Sequence, residues 1–337
     1  MDEARRVRLE AWLRAETGDA ALAIADLRRL SGGAIQQNWA LDVRCGDGCT
    51  AAWVLRTDNA ATLAVSHGRA EEFALLRAAQ AAGVTVPEPL FLCPDRAVIG
   101  APFFVMRRVE GVAAGHRVVR CGTLAGGRRA AAEAVGRELA RIHAIRPPRA
   151  DLPFLGAPPA DPAAAFLAGQ QRALDRQRDP HPILEWGLRH LARRAPAPIT
   201  SVLCHNDFRT GNIMFDARGV TAVLDWEFAG WGDPHADLGW LCAKCWRFGN
   251  DAEEAGGIGP RDALYAGYVA AGGAPPDPGR VAWWEIAAHL RWATIALDQA
   301  ERHLSGAEPS LELALTGHIV PQLEWDILAA VEARDAA

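Results

Sequence analysis

Apolar residues recur along this chain with two periods, and the change from one to the other divides it. Val7, Leu9, Leu13, Ala21 and Leu22 stand among charges at helical spacing, so the segment to about residue 27 is expected to be a helix. Leu30 to Leu41 then reads as a turn containing Gly32 and Gly33 that enters an extended run. Cys45 and Cys49 bracket Gly46-Asp47-Gly48, a hairpin turn, and Thr50 to Arg56 follows as an apolar strand. A helix over Arg69 to Arg77, an extended link over Val84 to Leu90 and a buried strand within Pro102 to Gly111 complete a β-rich first part. Beyond it the period becomes helical, with segments expected at about 128–145, 163–178 and 182–194, and an ordered Pro-rich connection over Arg149 to Pro162. Two short β-branched runs, Ser201 to Cys204 and Val220 to Leu224, interrupt this pattern, with a turn at Asp216 to Gly219. Trp283, Trp284, Ile286, Leu290, Trp292, Ile295 and Leu297 make one helix apolar nearly all round, which is expected to be buried.

Composition sharpens this picture. At 337 residues the chain exceeds the roughly 250–300 residues a single core supports, so two lobes are expected, 1–108 and 109–337. A net charge of −5 leaves no basic footprint for nucleic acid. There is no run of about 18 apolar residues for a membrane span, and the amino terminus is charged and amphipathic rather than a signal core. Seven cysteines, an odd set without small-scaffold spacing, suit a reducing compartment, so a cytoplasmic protein with no obligate protein partner is the simplest reading. Cys242-Ala-Lys-Cys245 has zinc-ligand spacing, but the pair lies in a predicted helix and its counterpart Cys45/Cys49 in the other lobe, which favours packing thiols.

The densest chemistry lies in His205-Asn-Asp-Phe-Arg-Thr-Gly-Asn-Ile-Met214 followed by Val223-Leu-Asp-Trp-Glu227. Moving the terminal phosphoryl of ATP to an alcohol requires a carboxylate to orient the hydroxyl and take its proton, and oxygen ligands for magnesium. Asp207 meets the first requirement; Asn212 and Asp225 meet the second. Protein kinases set the same acids at the same spacing, yet their Arg is Asn206 here and their Phe-Gly is Trp226-Glu227.

His-x-Asp-x-x-x-x-Asn with Asp-x-Glu resembles the aminoglycoside and choline phosphotransferase superfamily instead. The resemblance implies an α+β, protein-kinase-like two-lobed fold with a small β-rich amino-terminal lobe and a mainly helical carboxy-terminal lobe. It further implies ATP and Mg2+ as cofactors and a small-molecule hydroxyl acceptor. Gly32 and Gly33 then lie over the ATP phosphates, and Arg56 replaces the usual Lys that holds them, with Glu72 as its partner and Glu71 second. Met106, Arg107 and Arg108 fall near the adenine at the hinge. Glu227 reaches the second metal or the substrate, while His205 and Asp237 hold the catalytic loop. His143 reads as a satisfied core histidine.

Ser-Gly-Gly, Val-Leu-Arg, the His205 motif and the tail Arg291 to Gly306 are similar to one branch of that superfamily, which includes the kinase-like amino-terminal domain of acyl-CoA dehydrogenase fusion proteins. The branch implies a hydroxyacyl-CoA or hydroxy acid acceptor. The alternatives are an aminoglycoside O-phosphotransferase and a non-catalytic nucleotide-binding module. A polyamine needs carboxylates, for which Asp251, Glu253, Glu254, Glu285, Asp298 and Glu301 are candidates. A CoA ester needs cations, for which Arg107, Arg108, Arg117, Arg120, Arg128 and Arg129 are candidates.

Overall fold

The computed structural model describes residues 1–30, 36–58, 66–120, 124 and 126–335. They fall into two compact units, one made of Met1–Gly111, Arg149–Gly156 and Thr221–Ala229, the other of Val112–Pro148, Ala157–Val220 and Gly230–Ala337. Helix α1 (Glu3–Thr17) opens the first unit, capped by the Asp2 side chain, which accepts from the Arg5 N–H at 2.8 Å. It stops ten residues short of the expected end. Gly18 takes a left-handed conformation (φ 69°) that terminates helices, and the next apolar pair, Leu22 and Ile24, alternates as a strand.

That strand is β1 (Ala23–Arg29), the edge of a five-stranded antiparallel sheet of order β1-β2-β3-β5-β4. Its other strands are β2 (Gln36–Arg44), β3 (Thr50–Asp58), β4 (Pro89–Cys93) and β5 (Phe103–Arg107). Helices α2 (Arg69–Ala81) and α3 (Arg96–Ile99) complete the set. Successive residues of β3 point to opposite faces, and both faces are covered. Trp53 and Leu55 join Leu9, Leu13, Leu41, Phe103 and Val105 in one core. Arg56 and Phe104 lie on the other face beneath α2, where Phe73 meets Phe104 at 5.9 Å and Glu72 meets Arg56. The alternation that buries Leu55 therefore carries Arg56 under the helix. The strand also runs two residues past Arg56, to Asp58.

The second unit holds α4 (Gly115–Arg120), α5 (Gly127–His143), α6 (Pro162–Asp175), α7 (Pro182–Arg193), α8 (Pro234–Cys242), α9 (Arg261–Ala270), α10 (Pro278–Leu304), α11 (Leu311–Gly317) and α12 (Val320–Asp335). Short strands β6 (Val202–Cys204) and β9 (Gly230–Gly232) pair in it. β7 (Ile213–Asp216) and β8 (Gly219–Val223) follow one another through a turn at 217–218, where the Asp216 carboxylate accepts from Arg218. Helix α10 starts at an Asp277 cap with Pro278 in its first turn, and it buries Trp283, Trp284, Ile286, Ala287 and Leu290 against α7 and α12. Helices α5 and α9 approach backbone to backbone. A Cβ at Gly136 would strike the Leu264 carbonyl and one at Gly267 the Glu133 carbonyl, so only glycine permits this crossing.

His289 on α10 is buried (3% exposed), and its Nδ1 donates to the Glu285 carbonyl, 2.8 Å away. Burial lowers its pKa to about 4, and the neighbouring Arg247 and Lys244 charges add to this while Asp326 opposes it. The folded value lies below the ordinary 6.5, so between pH 6.5 and 4 the unfolded chain binds a proton that the folded one refuses. The stabilisation from a neutral His289 is thus complete above pH 6.5 and is lost as pH falls towards 4. Urea unfolding at pH 7 and pH 5 is expected to show a loss on the order of 2 kcal/mol that His289→Gln lacks.

Candidate active site

In the first unit, Arg56 is 6% exposed, and its Nε lies 2.9 Å from Glu72, with a terminal nitrogen 2.8 Å from Asp225. Glu72 is shared with the buried Arg69, which also pairs with Asp58 at 2.9 Å. Glu71 has no part in this pairing. Burial alone would make Arg56 easier to deprotonate, but Glu72, Asp225 and Glu227 more than offset it and hold the guanidinium charged. Asp225 itself adopts a left-handed conformation (φ 61°) and its side chain is 38% exposed. Two residues on, Glu227 is buried, and burial pushes its pKa up to about 7, with Asp225 and Glu72 adding and Arg56 opposing. Glu72, Asp225 and Glu227 thus outnumber the two guanidiniums, Arg56 and Arg69, that face them, and a further cation would relieve them.

The hinge residues occupy the end of β5. Met106 is half-buried and pairs with Val54 across the sheet; Arg108 pairs with Asp42 at 2.7 Å. The backbone N–H groups of Arg107 and Arg108 already donate to the Glu88 and Ala52 carbonyls at 2.9 Å each. Gly32 and Gly33 lie outside the described residues.

In the second unit, Asp207 sits on the loop after β6, and both its carboxylate oxygens are engaged. Trp240 Nε1 (2.9 Å) and Arg209 Nε (3.0 Å) donate to Oδ1, and Asn212 Nδ2 donates to Oδ2 at 2.5 Å. Asn212 also donates to the Asp207 carbonyl at 2.9 Å, which turns its amide oxygen away from the loop. The loop is pinned from beneath by Asp237 on α8, which accepts the N–H groups of His205 (2.7 Å) and Asn206 (2.8 Å). Asn206 is left-handed (φ 61°), a conformation asparagine tolerates far better than the Arg of protein kinases. Burial works against charge on Asp237, but hydrogen bonds from His143 and the His205 N–H hold its carboxyl below the usual range.

His143 Nε2 lies 3.2 Å from Asp237 and Nδ1 lies 2.8 Å from the Tyr268 hydroxyl. It is a core histidine whose position on α5 nevertheless supports the loop, and the glycine crossing of α5 with α9 is what brings Tyr268 to it. His143→Phe is expected to cost about 1–3 kcal/mol in denaturant unfolding, because a buried carboxylate loses one partner.

Sequence reasoning missed three residues around Asp207. Arg209 stacks over Trp246 at 4.5 Å, and Arg291 stacks over Trp240 at 4.6 Å while donating to the Asn206 carbonyl at 2.6 Å. Arg209 could have been found from its place two residues after the candidate base. Trp240 carries no motif, and Arg291 stands only at the start of the tail that resembles the branch, with no role read for it; both reach the loop through tertiary packing. In the two charged sets considered for the acceptor, several members are already engaged. Glu254 and Glu285 pair with Arg261, while Arg128 donates to the Gly257 and Val119 carbonyls and Arg129 pairs with Asp262. Among the described residues Cys242 and Cys245 belong to no cluster of three or more metal-ligating groups, and burial pushes the Cys242 thiol up to about 12. No helix among the described residues is long and apolar enough to cross a membrane.

Residues 26–284 match the model of a family described as "Phosphotransferase enzyme family". The chain is 31% identical over 201 residues to acyl-CoA dehydrogenase family member 10 of Mus musculus, covering 56% of this chain and 18% of that one. It therefore spans about a fifth of that relative's length. A putative aminoglycoside phosphotransferase from Ralstonia eutropha shares its fold with a TM-score of 0.75 at 22% identity, over 97% of this chain and 98% of that one. So does the aminoglycoside phosphotransferase APH(4)-Ia in its ternary complex with AMP-PNP and hygromycin B, with a TM-score of 0.60 at 19% identity over 98% and 99%. The small antiparallel sheet and the mainly helical remainder are those of this kinase-like fold.

Proposed function

The chain belongs to the phosphotransferase enzyme family, and from that membership we propose that it moves the γ-phosphoryl of Mg-ATP to a hydroxyl of a small molecule. The observation that carries this reading is Asp207, a carboxylate held by three donors on a loop pinned from beneath by Asp237. A base for an alcohol is useful only when it is held within hydrogen-bond reach of the proton it takes. Asp207 orients the acceptor hydroxyl and takes its proton as the oxygen attacks. Arg209, beside it, stays within reach of the negative charge that the transferred group spreads over its oxygens.

Arg56 holds ATP phosphate oxygens through the one terminal nitrogen left after Glu72 takes its Nε and Asp225 its other terminal nitrogen. Asn212, Asp225 and Glu227 are hard oxygen donors suited to magnesium, and the crowding of Glu72, Asp225 and Glu227 around Arg56 fits a divalent cation. Magnesium, when bound, neutralises phosphate charge. Met106 and Arg108 flank the adenine. For the acceptor we propose a hydroxyacyl-CoA or hydroxy acid, a reading supported by the similarity to acyl-CoA dehydrogenase family member 10. Against a polyamine stands the pairing of two of the six candidate acids, Glu254 and Glu285, with Arg261.

Magnesium-dependent ADP formation across hydroxyacyl-CoAs, free hydroxy acids, aminoglycosides, choline and protein acceptors tests this. Turnover with a hydroxy acid or its thioester is expected. Turnover with aminoglycosides alone would overturn the acceptor, and ATP binding without turnover of any acceptor would make the chain a silent nucleotide-binding module.

A further inference from the structure

Beside the Asp207 loop, within the second unit, lies a cavity of about 290 Å³ whose wall includes Asn206, Trp240 and Arg291. At roughly 30 Å³ for a water-sized group, it holds about ten non-hydrogen atoms. Most of its surface is apolar, contributed by Phe166, Trp284, Ala287 and their neighbours on α6, α8 and α10. Two carboxylates also border it, and both are saturated. Asp233 is 1% exposed and accepts from Arg280 (2.6 Å), Trp284 Nε1 (2.8 Å) and the His235 N–H (2.9 Å). Asp237 is 0% exposed and is spent on the loop N–H groups and His143. An ammonium entering this cavity would find no carboxylate to pair with and would lose its water.

Arg291 offers the opposite. Of the five N–H donors of its guanidinium, one bonds the Asn206 carbonyl, and among the described residues no other hydrogen bond is made. Its face rests on Trp240, which fixes the plane of the fork. A planar, oriented cation in the wall of a mostly apolar cavity matches an aliphatic carboxylate.

We propose that this cavity is the subsite for the apolar chain of a free aliphatic hydroxy acid, and that Arg291 is the specificity-determining residue that reads its carboxylate. The proposal rests on the phosphotransferase reading, because it assumes that the acceptor approaches Asp207 along this wall. It narrows that reading: the cavity suits a free acid, and polyamines are excluded by charge.

Probes lacking a hydroxyl separate the cavity from the chemistry. Octanoate, octylamine and 1-octanol share a chain and differ in head charge, and their binding to the whole protein is measured by titration calorimetry. Octanoate is expected to bind at least about tenfold tighter than octylamine, a difference of one electrostatic contact. Arg291→Gln is expected to weaken octanoate by about tenfold and to leave 1-octanol within about twofold. Gly169 on α6 borders the cavity, and a Cβ there would meet only the end of Arg172, at 3.9 Å. Gly169→Phe therefore fills the space without straining the helix, and it should weaken all three probes even if Arg291→Gln disturbs the loop. Octylamine binding as tightly as octanoate, or octanoate binding unchanged in Gly169→Phe, overturns the assignment. Phosphorylation of some hydroxyl acceptor without octanoate binding would sink the cavity and spare the phosphotransferase; octanoate binding without turnover of any hydroxy acid would do the reverse.

Discussion

Asp207→Asn is expected to lower phosphoryl transfer by about 10²- to 10⁴-fold while leaving ATP binding within about threefold. The substitution keeps the shape of the side chain, so the Trp240 donor at 2.9 Å retains an oxygen to bond and the loop stays pinned by Asp237. What disappears is the charge that orients the acceptor hydroxyl and accepts its proton. The exposed part of the Arg209 pair contributes little to folding, since its members are 25% and 16% exposed and partly screened. Single-turnover ADP formation measured beside ATP titration separates the two effects. A rate within threefold of the parent would remove Asp207 from the chemistry.

Arg56→Met is expected to destabilise the protein by about 3–5 kcal/mol and to weaken ATP binding as well. The methionine fills the volume beneath α2, so the loss is electrostatic: Glu72, 2% exposed, keeps only Arg69, and Asp225 loses its partner at 2.8 Å. Arg56→Lys retains the charge but not the fork, so it should cost less stability than methionine and still weaken ATP. Adding Glu72→Gln to Arg56→Met should recover part of the stability, because one of the carboxylates left short of a cation is then neutral while Arg69 keeps Asp58. Denaturant unfolding of the two single variants and the double variant closes this cycle. Additivity of the two costs would show that Arg56 and Glu72 do not depend on each other.

Local chemistry explains why the motif residues were legible. Asp207, Asn212 and Asp225 lie within nineteen positions of one another, and the intervening strand and turn signals are themselves local. The Arg56–Glu72 pair was legible for a related reason. A strand of period two fixes which face Arg56 takes, and a helix starting at Arg69 places Glu72 in its first turn. The helix end at residue 17 was misplaced because apolar spacing continued through Leu22, while the left-handed Gly18 that breaks it is a single residue.

Sequence by itself therefore determined the class of chemistry and the two kinds of secondary structure, since each depends on residues near in the chain. Tertiary structure alone decided what surrounds Asp207. Trp240 is 33 residues away from it and Arg291 is 85 residues from Asn206, and their contacts exist only because α8 and α10 pack together. The same packing saturates Asp233 and leaves Arg291 as the cationic wall of an apolar cavity. Charge counts along a chain cannot reveal this, because whether a carboxylate is available depends on which donors the fold has already brought to it.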